Sequence, residues 1–192
     1  MSGFEVRPVT GAALKALHRQ HLSRDFPRNE LKPLSMLEEL TEQGINSVWA
    51  VEQEGSLIAY YVLARLSGAS MVLLDYFAVE PQFRGSGVGT KVLRWLTNRL
   101  REGEYLLIES EWPPSAVTEK ERAVRERRLD FYRRCGAEWS GVCVRLFGVD
   151  YALLTIGAQT QTLEEDYRAV YRAMVPEHWL KCHLETFYPQ ND

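Results

Sequence analysis

The stretch from Met71 to Trp112 constrains the fold more than any other part of the sequence. It opens with MVLLDYFAV, Met71–Val79, a nearly unbroken apolar run stopped by Pro81, which reads as a central strand. QFRGSGVGT, residues 82–90, follows with three alternating glycines. A helix comes next, with apolar positions Val88, Val92, Leu93, Leu96 and Leu100, and YLLIESEW forms another strand, ended by Pro113-Pro114. A strand, a helix and a second strand in this order require a crossover within one sheet.

The flanking segments supply the rest of that sheet. FEVRPV, Phe4–Val9, alternates apolar and polar residues as a half-buried strand does, and Leu14, Leu17, His18, His21 and Leu22 mark one helical face. A loop from Asp25 to Pro33 leads to Ser35-Met36-Leu37-Glu38, the pattern of a capping box opening a short helix to about Glu42. SVWAV and LIAYYVLA read as a hairpin joined by Glu54-Gly55. Thr118-Glu119-Lys120-Glu121 is a second capping box, for a charged helix ending at Cys135-Gly136. GVCVRLFG and YALLTIG form a final pair of strands, and Thr162-Leu163-Glu164-Glu165 starts another helix, broken by Pro176. Hairpins combined with crossovers predict an α+β fold, an α/β sandwich around a mixed central sheet.

A chain of 192 residues without repeats or linkers suits one domain with an appendage. The formal net charge of −3 argues against a generic nucleic-acid surface. Cys135, Cys143 and Cys182 show neither CxxC spacing nor an even count, which disfavours zinc and disulfide frameworks. The N-terminus reaches a strand pattern at once, and no apolar run approaches a membrane span. A cytoplasmic location with no membrane partner is the expectation.

The glycines sit where a helix begins. A helix N-terminus presents unpaired N–H groups and the positive end of the dipole, and glycines before it let the backbone close on an anion. A phosphate or pyrophosphate is the natural guest; a tight turn with no ligand is the alternative. The dinucleotide fingerprint fails, because Gly85-Ser86-Gly87-Val88-Gly89 has no further glycine in register. The P-loop of nucleoside-triphosphate-binding proteins fails as well, since Gly89-Thr90-Lys91 inverts its order. Arg84-Gly85-Ser86-Gly87-Val88-Gly89 does resemble the coenzyme A signature of the GNAT acyltransferase superfamily. LDYFAVEPQF before it and FYRRCGA, Phe131–Ala137, after it are also similar to family segments.

The resemblance implies a bacterial-type GNAT domain over residues 1–157, with a mostly antiparallel sheet of about seven strands. Residues 158–192 then form a helical extension on the same domain. It implies acetyl-CoA as co-substrate and no metal. Its pyrophosphate would be held by Arg84, Gly85, Ser86, Gly87, Val88, Gly89 and Thr90, and its pantetheine arm would lie along Phe77, Ala78 and Val79. The implied activity is direct acetyl transfer to a primary amine in a ternary complex. A non-catalytic acyl-CoA sensor or partner-binding module on the same scaffold, or a nucleotide-phosphate binder, stands as the alternative.

Acetyl transfer needs a proton taken from the amine, an N–H donor for the oxyanion, which a strand bulge can give, and an acid for the leaving thiolate. Tyr132 matches the family's acid. Val117, Val124, Phe131 and Cys135 fall at helical spacing as a buried stripe, with Tyr132 one step off and facing the cleft. Three carboxylates are candidate bases. Asp75 lies within an apolar strand, and Glu109 and Glu111 share one strand face. Each has a structural alternative, and Arg128 calls for a partner in Glu109 or Glu111. His18, His21, His178 and His183 read as structural. The acceptor pocket is expected around Asp25, Phe26, Arg28 and Asn29. The C-terminal helices, with Tyr167, Tyr171, Trp179 and Phe187, are candidates to close it, to form a homodimer contact or simply to pack.

Overall fold

A computed structural model describes residues 3–157 and 162–189. Its sheet has eight strands in the order β1-β2-β3-β4-β5-β7-β6-β8. The strands are β1 (Glu5–Pro8), β2 (Asn46–Gln53), β3 (Ser56–Arg65), β4 (Met71–Val79), β5 (Tyr105–Glu111), β6 (Glu138–Leu146), β7 (Val149–Ile156) and β8 (Leu184–Phe187). Among the described residues only β4 and β5 run parallel, as the crossover requires. The hairpin between β2 and β3 turns on Glu54 and Gly55, both at positive φ, the left-handed pair that matches strand twist.

Helices cover both faces. On one lie α1 (Gly11–Leu17), α3 (Leu34–Glu42) and α6 (Leu163–Met174), and on the other α4 (Val88–Thr97) and α5 (Glu119–Arg134). The short α2 (Ser23–Asp25) and α7 (Glu177–His183) complete the set. α1 runs into a π-helical turn, His18–Leu22, before α2.

Three sequence expectations need correction. The Ser35/Glu38 capping box does not form, because α3 starts at Leu34 with Pro33 as its N-cap. The proline's fixed φ supplies the extended entry without a side-chain cap, and Leu37 N–H donates to its carbonyl at 3.0 Å. Thr162 likewise makes no backbone cap; its hydroxyl donates to Asp166 at 3.0 Å. The sheet has eight strands rather than about seven, since the segment after α7 forms β8 on the edge of β6. The Thr118 box does form, with its side chain accepting from Glu121 N–H at 3.2 Å and Glu121 reaching back to Thr118 N–H. Replacing Thr118 with Ala should cost about 1 kcal/mol, measurable by urea denaturation.

α5 is the fourth correction. Its buried side chains are Leu129 and Tyr132, while Val117 is 91% exposed and Val124 38%. The real stripe runs through Arg125, whose side chain is only 15% exposed, then Leu129 and Tyr132. A stripe that begins on an arginine is hidden from any count of apolar residues. Phe131 sits at its border, stacked on Phe77 with centroids 6.2 Å apart.

Candidate active site

Two features of β4 build the site. First, its pairing with β5 stops at Leu74 and Ile108, although β5 continues beside β7 to Glu111. From Asp75 onward β4 therefore has a partner on one side only, with Phe77, Ala78 and Val79 along that edge. Second, Val62 pairs with Tyr76 and Leu63 with Leu74, so Asp75 is the extra residue of a bulge. The bulge shifts side-chain alternation by one. Val72 and Leu74 join the α4–α5 core, as do Phe77 and Val79, whereas Tyr76 and Ala78 face α1 and α3. Asp75 and Tyr76 both reach Lys32 on that second face.

At the end of β4, Gly87 caps α4 in the left-handed conformation, φ 83°, and Gly85 is also left-handed. A Cβ at either position would meet nothing within 4 Å, so the loop's outer side is open. At Gly89 a Cβ would come within 3.2 Å of Phe131 and 3.3 Å of Val79, so that glycine serves close packing. The amides of Arg84 and Ser86 make long turn bonds, 3.3 and 3.4 Å, to Pro81 and Phe83. Those of Gly85, Gly87, Val88, Gly89 and Thr90 donate to no group among the described residues. The Arg84 side chain does not edge this cradle: it is drawn back to the Val79 carbonyl at 2.9 Å and Asp25 at 3.0 Å.

That arginine belongs to a network behind the loop. Asp25 also binds Arg24 at 2.6 Å and accepts from Tyr60 at 2.7 Å. Glu80, 4% exposed, binds Arg24 at 2.9 Å and His21 at 2.6 Å. Burial pushes the Glu80 carboxyl up, but Arg24 and His21 outweigh it and hold it below the usual range.

The carboxylates expected near the splay are present and differently engaged. Asp75 is ion-paired to Lys32 at 2.5 Å, side chains 4% and 12% exposed, and accepts from Asn46 at 3.1 Å. Burial opposes the charge on Lys32, but Asp75 outweighs it and keeps the ammonium protonated far above its usual range. Glu111 pairs with Arg128 at 2.5 Å and Arg125 at 3.3 Å, the network that Arg128's position called for. Glu109 has no cation in contact among the described residues and accepts from Tyr167 at 2.5 Å and Tyr171 at 2.7 Å, with burial pushing its carboxyl up. Glu30 accepts from Tyr151 at 2.8 Å, and burial raises it as well.

Tyr132 lies on the α4–α5 side of the sheet, opposite Glu109, which meets α6. Its ring is buried, burial pushes the phenol up to about 12, and the hydroxyl bonds to none of the described residues. Ser110, on the same face of β5 as Leu106 and Ile108, is fully buried with an unpartnered Oγ. An orphaned buried hydroxyl costs roughly 1–3 kcal/mol, so Ser110 marks a place where an outside polar group would be favourable.

Of the loop residues, Phe26 packs on Tyr76 at 4.7 Å and Asp25 joins the Arg84 network, while Arg28 and Asn29 are exposed. Glu30 and Lys32 face the acids instead and were missed, as were Tyr76 and Tyr151. The available signal was the alternation in NELK, which puts Glu30 and Lys32 two residues apart. Among the described residues no helix is long and apolar enough to cross a membrane, and His, Cys, Asp and Glu form no metal-sized group.

An open amide cradle at a helix start, beside two splayed strands of which one bulges at Asp75 against β3, is the arrangement of a GNAT-type fold. Residues 44–136 match the model of the acetyltransferase (GNAT) domain. A Bacteroides thetaiotaomicron protein assigned to this family is 21% identical, with TM-score 0.64, over 88% of this chain and 95% of that one. Spermidine N-acetyltransferase from Vibrio cholerae, solved with CoA and spermine, is 15% identical, with TM-score 0.58, over 81% and 96%. The ribosomal-protein alanine N-acetyltransferase from Escherichia coli is 14% identical, with TM-score 0.55, over 82% and 97%. At these identities the likeness is one of fold. An uncharacterized protein of Dictyostelium discoideum is 32% identical over 83 residues, 42% of this chain, and the chain spans 19% of that relative's length.

Proposed function

We propose that this protein is a cytoplasmic N-acetyltransferase that moves an acetyl group from acetyl-CoA to a primary amine by direct transfer in a ternary complex. The observation that carries the reading is the set of undonated amides at Gly85 and Gly87 through Thr90, opening beside the unpaired edge of β4. The residues fit the cofactor: nothing lies within 4 Å of a Cβ at Gly85 or Gly87, and a buried Ser110 hydroxyl lacks a partner. Amides of residues 84–90 would hold the pyrophosphate, helped by the α4 dipole. Backbone groups of Phe77, Ala78 and Val79 would pair with the pantetheine arm as an added strand does. Acetyl-CoA bound there supplies an activated thioester. The CoA in the Vibrio cholerae relative supports this use of the fold.

The chain's own residues divide the proton work. Tyr132, its phenol pushed up to about 12 by burial, keeps its proton at neutral pH and can give it to the departing thiolate. Of the three candidate bases, Asp75 and Glu111 are held by Lys32 and by Arg125 and Arg128, which orient the acceptor side. Glu109 is the carboxylate without a cation in contact and is assigned as base. Of residues 158–192, the described stretch 162–189 packs on this domain through α6 and joins its sheet through β8.

An acetyl-CoA turnover screen over amines, read by free-thiol detection, tests the reading. Turnover with at least one amine is expected, and Tyr132→Phe should lower kcat by roughly 10²–10⁴-fold. CoA binding without turnover on a broad amine panel would instead mark an acyl-CoA sensor.

A further inference from the structure

We infer that Tyr167 and Tyr171 of α6 are positioning residues for Glu109, fixing one carboxylate oxygen so that the other is presented as the proton acceptor. The inference rests on the acetyltransferase reading above, but its first test does not depend on turnover. α6 begins at Leu163, well past residue 136, where the match to the family's domain ends, so this arrangement is a feature of this chain's own tail.

The geometry is asymmetric. Both phenols donate to the same oxygen, Oε1, at 2.5 and 2.7 Å. Oε2 accepts from none of the described residues, and Glu109 as a whole is only partly buried. Tyr167 and Tyr171 fall at i and i+4 on α6, which puts both rings on one helix face. They are 1% and 4% exposed, with centroids 4.8 Å apart, so the core holds the donors in place. Glu109 sits one residue past the last β4–β5 pair, where the strands part. A carboxylate pinned through Oε1 loses rotational freedom, which leaves Oε2 as the oxygen able to take a proton.

The surrounding charges fit a base rather than a spectator. Burial pushes Glu109 up first; the two phenols pull it down, Asp75 on β4 pushes it up and Lys32 pulls it down. Tyr151 on β7 also feels the charge of Glu109, as well as those of Glu30 and Glu111. The phenols themselves are driven well above their usual range by burial and by Glu109, so they stay donors at any working pH. A base must be ionised to act, so activity should rise as pH climbs through its pKa. The phenols favour the ionised form. Removing either donor must therefore move the acid limb of the pH–rate profile upward.

The test uses the full chain in which glutamate carries a ¹³C-labelled carboxyl, with Glu109→Gln identifying the resonance by its loss. Titration without any substrate should show the Glu109 midpoint moving to higher pH in Tyr167→Phe and in Tyr171→Phe, and further in the double variant. With an accepted amine, the acid limb should move in parallel. On the acid side each single variant should lose roughly tenfold in rate, with recovery at high pH. An unmoved midpoint would overturn the positioning role. A moved midpoint with an unmoved acid limb would overturn the role of Glu109 as base. Absence of turnover in the wild type, with the midpoint still moving, would instead strike at the acetyltransferase reading. Phenylalanine keeps both rings in the core, and melting curves close to wild type will show that the variants fold.

Discussion

Gly87→Glu is expected to abolish CoA binding in a calorimetric titration, with an affinity loss of roughly a hundredfold or more, equivalent to about 2.7 kcal/mol. Two effects act in the same direction. Gly87 has φ 83° and ψ 0°, a conformation that costs an L-residue roughly 1–2 kcal/mol. The position also opens onto free space, so the new carboxylate can fold over the amides of Val88, Gly89 and Thr90 and occupy the cradle as an internal anion. Gly87→Ala separates the two, since it carries the backbone strain without the charge and should retain part of the affinity. Gly89→Ala is a different case: its Cβ would press on Phe131 and Val79 from behind the loop, so its first effect should be on stability. If Gly87→Glu binds CoA as the wild type does, residues 84–90 do not grip the diphosphate and the case for acyl transfer fails.

What the sequence could and could not reveal follows from the range of the interactions involved. The glycine loop, the Thr118 capping box and the Glu54-Gly55 turn are set by residues within a few positions of each other, and the structure places each as read. The β4 strand was legible because burial on both faces leaves an unbroken apolar run. Register is a property of two strands, so the bulge at Asp75 leaves no mark in β4 alone. β8 was missed for a similar reason, because LETF becomes a strand only by pairing with β6. The α5 stripe was misread because Arg125 occupies a buried position through Glu111, the Trp112 carbonyl and Ser115. The Arg128 partner of Glu111 lies 17 residues away and was read from the sequence, but Lys32 for Asp75 and the two tyrosines for Glu109 come from 43 to 62 residues away. Hence Asp75, Glu109 and Glu111 looked equivalent in sequence, and only the fold distinguishes them.

That distinction yields the second large effect. Lys32→Met should destabilise the protein by about 3–5 kcal/mol in urea denaturation, because it leaves the Asp75 carboxylate buried without its cation. The side chains are 12% and 4% exposed, so water cannot replace the lost ammonium as it would at a surface pair, where such a change is worth about 0–1 kcal/mol. Lys32 also anchors its loop through its main chain, donating its N–H to Tyr76 at 2.9 Å and accepting from His18 at 2.9 Å. Those bonds survive the substitution, so the loss isolates the charge. The double variant Lys32→Met with Asp75→Asn removes both charges and should recover most of the stability, giving a large coupling in a double-mutant cycle. A small loss in the single variant, or additive losses in the double, would show that the pair is not desolvated. It would also return Asp75 to the list of candidate bases, because a carboxylate that tolerates losing its lysine is free to take a proton from the acceptor amine.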